Sequence, residues 1–221
     1  MIKTGFFLKW SRTKGMTFSL MALCSIFATS PVNADQISAT DSTVRDFNYQ
    51  ISRDFTLDVH DNLGSSTIYG RFAISEDVED LSASLKMKVT RTDSKGKDLW
   101  TVRDFVNDCE APATPELLLT TPVHSTDLDG NGLDEIWMMY RLTCRTEAFP
   151  RDIKIIMYEG KTKYAVRGKT DVHLVPGMCE SSGDCGHFKL DSNMRNAKPA
   201  IKKYAMKLWT DHVVEFKKDF Q

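Results

Sequence analysis

Apolar and polar residues alternate along several segments in the first half of the chain, and this period of two constrains the fold most strongly. Segments 55–59, 68–74 and 85–89 place their large apolar side chains at positions two or four residues apart. Successive side chains of a strand point to opposite faces, so the alternation is typical of a half-buried strand. The sequence predicts a mainly antiparallel β-sheet with one face in the core.

Two hairpins and two buried strands complete the predicted sheet. Glycine-containing turns at residues 93–96 (DSKG) and 159–161 (EGK) separate pairs of strand-like segments, as expected for hairpins. Residues 117–119 (LLL) and 136–142 (IWMMYRL) are short, nearly continuous apolar runs. Such runs predict strands that are largely buried.

The residue pattern changes near the C-terminus. Pro199 suits the first position of a helix, where its missing N–H costs nothing. Apolar and aromatic residues then recur at helical spacing on one face: Ile201, Tyr204, Ala205, Leu208, His212, Val213 and Phe216. The sequence therefore predicts an α+β fold in which a C-terminal amphipathic helix covers one face of the sheet.

The first 34 residues have the three parts of a secretory signal peptide. A basic segment ends at Lys14, an apolar run of about 13 residues follows, and small residues lead to Ala34. The run is shorter than the roughly 20 residues that span a bilayer. We expect cleavage of residues 1–34, a flexible lead-in at 35–48 and a single domain at 49–221. The protein is then periplasmic or secreted, with no membrane span after cleavage.

The charge of the remaining chain argues against a nucleic-acid partner. Four of the 29 basic residues and none of the 30 acidic residues lie in the first 34 positions, which leaves a net charge of −5 on the remaining 187 residues. A mildly acidic chain has no general electrostatic attraction for nucleic acid.

Four cysteines remain after cleavage. In an exported chain they predict two disulfides, and the sequence permits three pairings. We favour Cys109 with Cys144 and Cys179 with Cys185. The alternative is a zinc site that also uses His187, but an oxidising compartment removes the thiolates that zinc needs.

The most specific motif is the acidic, glycine-containing segment at 127–135 (DLDGNGLDE). Oxygen-bearing side chains occupy its positions 1, 3, 5 and 9, and Gly132 at position 6 permits a sharp turn. Calcium takes six to eight oxygen ligands, and this spacing folds alternate side chains around one ion. The alternative is an ordinary turn between strands. The predicted ligands are the side chains of Asp127, Asp129, Asn131 and Glu135 and the carbonyl of Leu133.

An EF-hand does not fit this segment, because Met138 occupies the position of the bidentate glutamate and a strand replaces the helix. The segment instead resembles the DxDxNGxxD loops of integrin-type FG-GAP repeats, with Glu135 in the last acidic place. That resemblance implies a calcium ion held between two strands.

Residues 126–145 (TDLDGNGLDEIWMMYRLTCR), with 154–158 and 164–168, also resemble a family of uncharacterised exported bacterial proteins. That family is loosely associated with surface polysaccharide biosynthesis. The resemblance extends over residues 100–215 and implies a location in the cell envelope. It implies no established activity.

The sequence contains no recognised catalytic signature. A GxSxG elbow, an HExxH motif, a P-loop and a dinucleotide fingerprint are all missing, and the five histidines show no metal-ligand spacing. We expect a non-catalytic binding or structural role with a surface glycan or an envelope protein as partner. The alternative is an enzyme or accessory factor of surface polysaccharide metabolism.

Two further groups have a functional and a structural interpretation. Arg141, Arg145 and Arg151 surround Cys144 and are suited to an anionic sugar or phosphate, but a solvated strand end is the favoured interpretation. Three tryptophans are suited to stacking on sugar rings, but we predict that they pack in the core: Trp100, Trp137 and Trp209.

Overall fold

The computed structural model describes residues 50–77, 79–145, 150–172 and 185–215, which belong to one compact unit at 37–221. The predicted signal peptide and lead-in lie outside the described residues, so both remain predictions. The strands, in chain order, are β1 (Gln50–Ile51), β2 (Phe55–Asp61), β3 (Gly64–Asp77), β4 (Ser82–Asp93), β5 (Asp98–Glu110), β6 (Thr114–Leu119), β7 (His124–Thr126), β8 (Glu135–Arg145), β9 (Asp152–Glu159), β10 (Thr162–Lys169), β11 (Asp171–Val172), β12 (Phe188–Leu190) and β13 (Val214–Glu215).

The first sheet has the order β2–β3–β4–β5, with every pair antiparallel. Its strands carry the period-two pattern: Ile68, Leu85, Met87 and Val89 are buried, whereas Tyr69, Lys86 and Lys88 are exposed. The predicted hairpin turn at 93–96 joins β4 to β5. The prediction of mainly antiparallel structure is confirmed.

The second sheet has the order β1–β6–β8–β9–β10–β12, and β7 also pairs with β8. Its pairs are antiparallel except β1 with β6. β11 and β13 form a separate parallel pair. The sequence predicted one sheet, whereas the described residues form two large sheets and this separate pair, because alternation identifies strands without showing how they divide between sheets.

The two sheets pack face to face around a shared core. Val59, Leu85 and Val102 from the first sheet meet Ile136 and Met138 from the second. Trp100 of β5 stacks on Tyr158 of β9 with their ring centroids 4.5 Å apart. Burial of apolar side chains from both sheets stabilises the pair.

Two helices cover the other face of the second sheet. They are α1 (Ser192–Asn196), capped by the Asp191 side chain, and α2 (Pro199–His212), with Pro199 in its first turn as predicted. Ile201, Ala205 and Trp209 of α2 pack with Trp137 and Met139 of β8.

β8 is apolar along its first half because both of its faces are covered. Ile136 and Met138 face the first sheet, whereas Trp137 and Met139 face the helices. The three tryptophans are buried, as predicted: Trp100, Trp137 and Trp209.

A disulfide joins Cys109 of β5 to Cys144 of β8, with a Cα–Cα distance of 5.3 Å. This is the favoured pairing, and it links the first sheet to the second. Cys185 is disulfide-bonded, so it has no thiolate for the zinc alternative. Its predicted partner, Cys179, lies outside the described residues, so the Cys179–Cys185 pairing remains a prediction. Within the described ranges, no helix combines the length and apolar character needed to cross a membrane.

Candidate metal-binding loop

The acidic segment is the connection between β7 and β8, whose ends pair through Thr126 and Glu135. Gly130 and Gly132 have positive φ angles of 70° and 78°, a backbone region that favours glycine. A Cβ at position 132 would lie 2.0 Å from Nδ2 of Asn62. Glycine therefore lets this hairpin loop turn sharply and lie against the first sheet.

Three of the predicted ligands converge. One carboxylate oxygen from each of Asp127, Asp129 and Glu135 lies within 4.8 Å of the other two. Their burial increases along the loop: Asp127 is exposed, Asp129 is intermediate and Glu135 is buried. The sequence spacing thus produces a compact group of three acidic side chains.

The first two carboxylates also organise the loop backbone. The Asn131 N–H donates to Asp127 Oδ1 and to Asp129 Oδ1, each at 3.1 Å, and the Gly132 N–H donates to Asp127 Oδ2 at 3.0 Å. An ionised carboxylate has about four lone-pair sites. Asp127 and Asp129 therefore each retain lone pairs that can coordinate a cation.

Glu135 is fully buried at the start of β8. It accepts hydrogen bonds from the Thr126 hydroxyl at 2.7 Å and from the Leu128 N–H at 2.9 Å. The Thr126 hydroxyl in turn accepts one from Trp137 Nε1 at 2.8 Å. Burial raises the pKa of Glu135, although these two donors oppose the shift.

Asn131 lies beside the three carboxylates. Its Nδ2 donates to Asp129 at 3.2 Å and to Glu159, while its Oδ1 accepts from the Leu133 N–H at 2.7 Å. Rotation of the amide by half a turn would exchange its oxygen and nitrogen and direct the oxygen toward Asp129 and Glu159. The role predicted for the Leu133 carbonyl remains a prediction.

Two charged residues at the site were missed by the sequence analysis. Lys198, just before α2, places Nζ 2.7 Å from Asp129 Oδ2. Glu159, at the end of β9, contacts Asn131 and accepts a hydrogen bond from the Tyr164 hydroxyl at 3.1 Å. The Lys198 ammonium lowers the pKa of Asp129, and the pKa of Lys198 is raised by the same contact. Both residues are distant from the loop in sequence, and no local pattern marks them.

The β2–β3 turn anchors the outer side of the loop. The Asn62 N–H donates to the Gly132 carbonyl at 2.8 Å, and Asn62 Nδ2 donates to the Asn131 carbonyl at 3.1 Å. The Asp134 N–H donates to Asp61 Oδ2 at 3.2 Å. The loop is thereby tied to the first sheet as well as to the second.

A second polar site lies at the far end of β8. Arg141 contacts Glu116 at 3.3 Å and Glu215 at 3.1 Å. Arg151 contacts Glu215 closely and Glu116 at 3.7 Å. The arginine side chains are only 18 % and 7 % exposed. The favoured interpretation of a solvated strand end is therefore wrong for Arg141 and Arg151, because buried carboxylates from β6 and β13 receive them.

These ion pairs border a cavity of about 410 Å³. Burial raises the pKa of Glu116 despite the neighbouring arginines. The cavity includes a third arginine and a histidine from the end of α2. Residues at its wall include Thr120, Arg141, Arg145, Arg151, His212 and Glu215.

Of these two sites, the acidic loop has the donor set of a calcium site. It offers three converging carboxylates, which are hard oxygen ligands of the kind that calcium takes. The chain matches no protein-family model, no curated protein and no solved structure.

Proposed function

We propose that the chain is an exported envelope protein, folded as a single α+β domain, whose loop at 127–135 binds Ca²⁺. The observation that carries this proposal is the convergence of Asp127, Asp129 and Glu135 within 4.8 Å. Carboxylates at this distance repel one another, and a divalent cation between them converts repulsion to attraction. The resemblance to FG-GAP loops supports the same conclusion. The role is binding or structural rather than catalytic.

Lys198 is the residue that calcium must displace. Its ammonium contacts Asp129, yet its side chain is 58 % exposed, and a lysine side chain is flexible. The ammonium therefore has room to swing into solvent when an ion binds. Without an ion, Lys198 offsets part of the negative charge of the loop.

Thermal unfolding in EDTA and in about 1–10 mM CaCl₂ tests the proposal. Extracellular calcium modules bind with Kd of about 0.1–1 mM, so we expect a stabilisation on the order of 1–3 kcal/mol and a rise in Tm of a few degrees. Asp129→Asn should abolish the rise. Asp152→Asn is the control, because Asp152 also pairs with a lysine, Lys169 at 2.8 Å, at an exposed position away from the loop.

A second pair of variants distinguishes a calcium-binding loop from a turn whose negative charge is simply neutralised by Lys198. Lys198→Met should raise calcium affinity severalfold, because it removes a competing cation. Lys169→Met should leave the affinity unchanged. If wild-type protein melts identically in EDTA and in calcium, and calorimetry gives no heat of binding, the loop is only a turn.

Export is supported by the disulfide, which is typical of proteins in oxidising compartments. Mature protein isolated from its host should begin at or near Asp35, as measured by mass spectrometry. An intact N-terminus would contradict export. The partner proposed for this exported protein is a surface glycan or an envelope protein, in agreement with the family resemblance in residues 100–215.

The buried ion pairs at the 410 Å³ cavity favour a second candidate, an enzyme or accessory factor of surface polysaccharide metabolism. Charged groups are costly to bury, and clusters of them in a cavity often mark functional sites. Release of reducing ends from envelope polysaccharide, lost in Glu215→Gln, would support catalysis. If wild-type protein releases no reducing ends, the result supports the non-catalytic binding role instead.

A further inference from the structure

A row of three cations crosses the outer face of the first sheet. Arg71 of β3, Lys88 of β4 and Arg103 of β5 occupy directly opposed positions, and all three are exposed. Lys86 adds a fourth exposed cation in the adjacent row. Like charges in opposed positions of a sheet are destabilising. These four residues are called the cationic face below.

Within the described ranges, no carboxylate forms an ion pair with the cationic face. None lies within 4.0 Å of the charged nitrogens of the cationic face. The contrast with Arg91 on the same sheet is clear, because Arg91 is buried and paired with Asp61. The positive charge of the cationic face is thus available to a ligand.

Two exposed aromatic residues flank the row. Phe105 is 61 % exposed and lies opposite Lys86, one row to one side, while Tyr69 is 45 % exposed, one row to the other side. Rows on the same face are about 7 Å apart. A groove of about 290 Å³ lies at this surface. Eight residues line it: Met87 and Asp104 face the second sheet, and the other six are Arg71, Ala73, Lys86, Lys88, Arg103 and Phe105.

We propose that the cationic face binds an acidic polysaccharide. The guanidinium and ammonium groups would contact the anionic groups of the polymer, with Arg71 and Arg103 suited to bidentate contacts. Phe105 and Tyr69 supply apolar ring faces against which sugar rings pack. This proposal names the partner class of the exported protein, and the choice of a glycan rests on that proposed function. The row of cations and the groove are observed in the structure and do not depend on the proposed function.

Two observations favour a glycan over other polyanions. The Cys109–Cys144 disulfide is typical of compartments that lack nucleic acid. The aromatic side chain of Phe105 borders a groove, which admits an extended chain, whereas docking on a bilayer surface relies on a broad apolar face that enters the lipid.

Binding of the purified protein to polygalacturonate, with dextran as the neutral control, tests this proposal. All measurements are made in EDTA, so the calcium loop does not contribute. The test variant is Arg71→Gln/Lys88→Gln/Arg103→Gln, and Phe105→Ala tests the aromatic contribution. The matched control is Lys161→Gln/Lys189→Gln/Lys203→Gln, which removes three exposed charges elsewhere.

We expect wild-type protein to bind polygalacturonate and not dextran. The test variant should bind on the order of a hundredfold more weakly, and the control variant should bind almost normally. The test variant should melt no lower than wild type, because it loses only repulsion, so weak binding cannot come from unfolding.

Three results would overturn the proposal. They are no binding to polygalacturonate, an equal loss in the control variant, and a preference for phosphatidylglycerol vesicles or single-stranded DNA over polygalacturonate. If calcium does not raise Tm, the polysaccharide test remains valid, because it is made in EDTA. If the protein does not bind polygalacturonate, the calcium-site proposal is unaffected.

Discussion

Asp104 of β5 accepts a hydrogen bond from the hydroxyl of Tyr140 of β8 at 2.8 Å, across the interface between the two sheets. The same carboxylate oxygen lies 2.6 Å from Lys154 Nζ on β9. Tyr140 is 1 % exposed, so its hydroxyl has little access to water. Burial, together with the Asp104 charge, raises the pKa of Tyr140 well above its usual value.

Asp104→Ala should lower the free energy of unfolding by about 1–3 kcal/mol, because it leaves a buried phenol without its acceptor. Urea denaturation measures the change. Asp58→Ala, on the same sheet, removes an exposed carboxylate that accepts from Thr67, and should cost less than about 0.5 kcal/mol. In the Asp104→Ala background, Tyr140→Phe should cost less than it does alone. Equal losses in the two aspartate variants would contradict this account.

Asp61→Asn should destabilise the protein by about 3–5 kcal/mol. Asp61 and Arg91 have fully buried side chains 2.8 Å apart, and the substitution leaves a buried guanidinium without its counter-ion. It also weakens the contact with the Asp134 N–H, so calcium binding should weaken as well. The matched control is Asp77→Asn at the end of β3, where Asp77 accepts from the backbone N–H groups of Glu79 and Asp80. A loss below about 1 kcal/mol would show that the ion pair is dispensable.

Replacing both Cys109 and Cys144 by serine should cost roughly 3.8 kcal/mol in the chain-entropy model, since the bridged residues are 35 positions apart. Urea denaturation of the oxidised wild type and the variant gives the difference. Non-reducing peptide mapping should recover Cys109 linked to Cys144 and should also test the predicted Cys179–Cys185 bridge. A Cys109–Cys179 peptide would refute the pairing.

Glu116 should make stability depend on pH. Burial and the Glu215 charge raise the pKa of Glu116 against the opposing effects of Arg141 and Arg151. The folded state therefore holds the proton more tightly than the unfolded state. The stability it contributes is present below the usual glutamate pKa of 4.5 and is lost as pH rises through the raised pKa.

Glu116→Gln stays neutral at every pH. As pH rises from about 4 to about 7, wild type should lose stability relative to this variant, by about 1.4 kcal/mol for each unit by which the pKa is raised. Urea denaturation across this range measures the difference. Glu110→Gln, at an exposed position of β5, should give no such trend. A constant difference between wild type and Glu116→Gln would contradict the sign.

Local sequence patterns predicted the individual elements well. Alternation located β2, β3 and β4, and Pro199 with the helical spacing after it located α2. The division of the strands into two sheets was missed, because it depends on contacts between distant segments. Strands of two or three residues, such as β7 and β13, are too short for any periodic signal. The helix α1 was also missed, although Asp191 caps it.

The candidate site likewise has one part that the local sequence predicts and another that depends on the tertiary fold. The spacing of Asp127, Asp129 and Glu135 was sufficient to predict their convergence, because one loop carries all three. The contributions of Lys198, Glu159 and Asp61 come from other elements that the tertiary fold brings to the loop. Arg141 and Arg151 were misjudged because Glu116 and Glu215, the residues that bury them, are remote in sequence.

The two covered faces of β8 determine how chains with this fold can differ in length. A single inserted residue within 136–142 would reverse the facing of the β8 residues on one side of the insertion, so side chains that belong to one core would point into the other. An insertion within 127–135 would break the spacing of the carboxylates. We therefore expect the whole stretch from Asp127 to Leu142 to align without gaps among such chains. Changes in length should fall on either side of it.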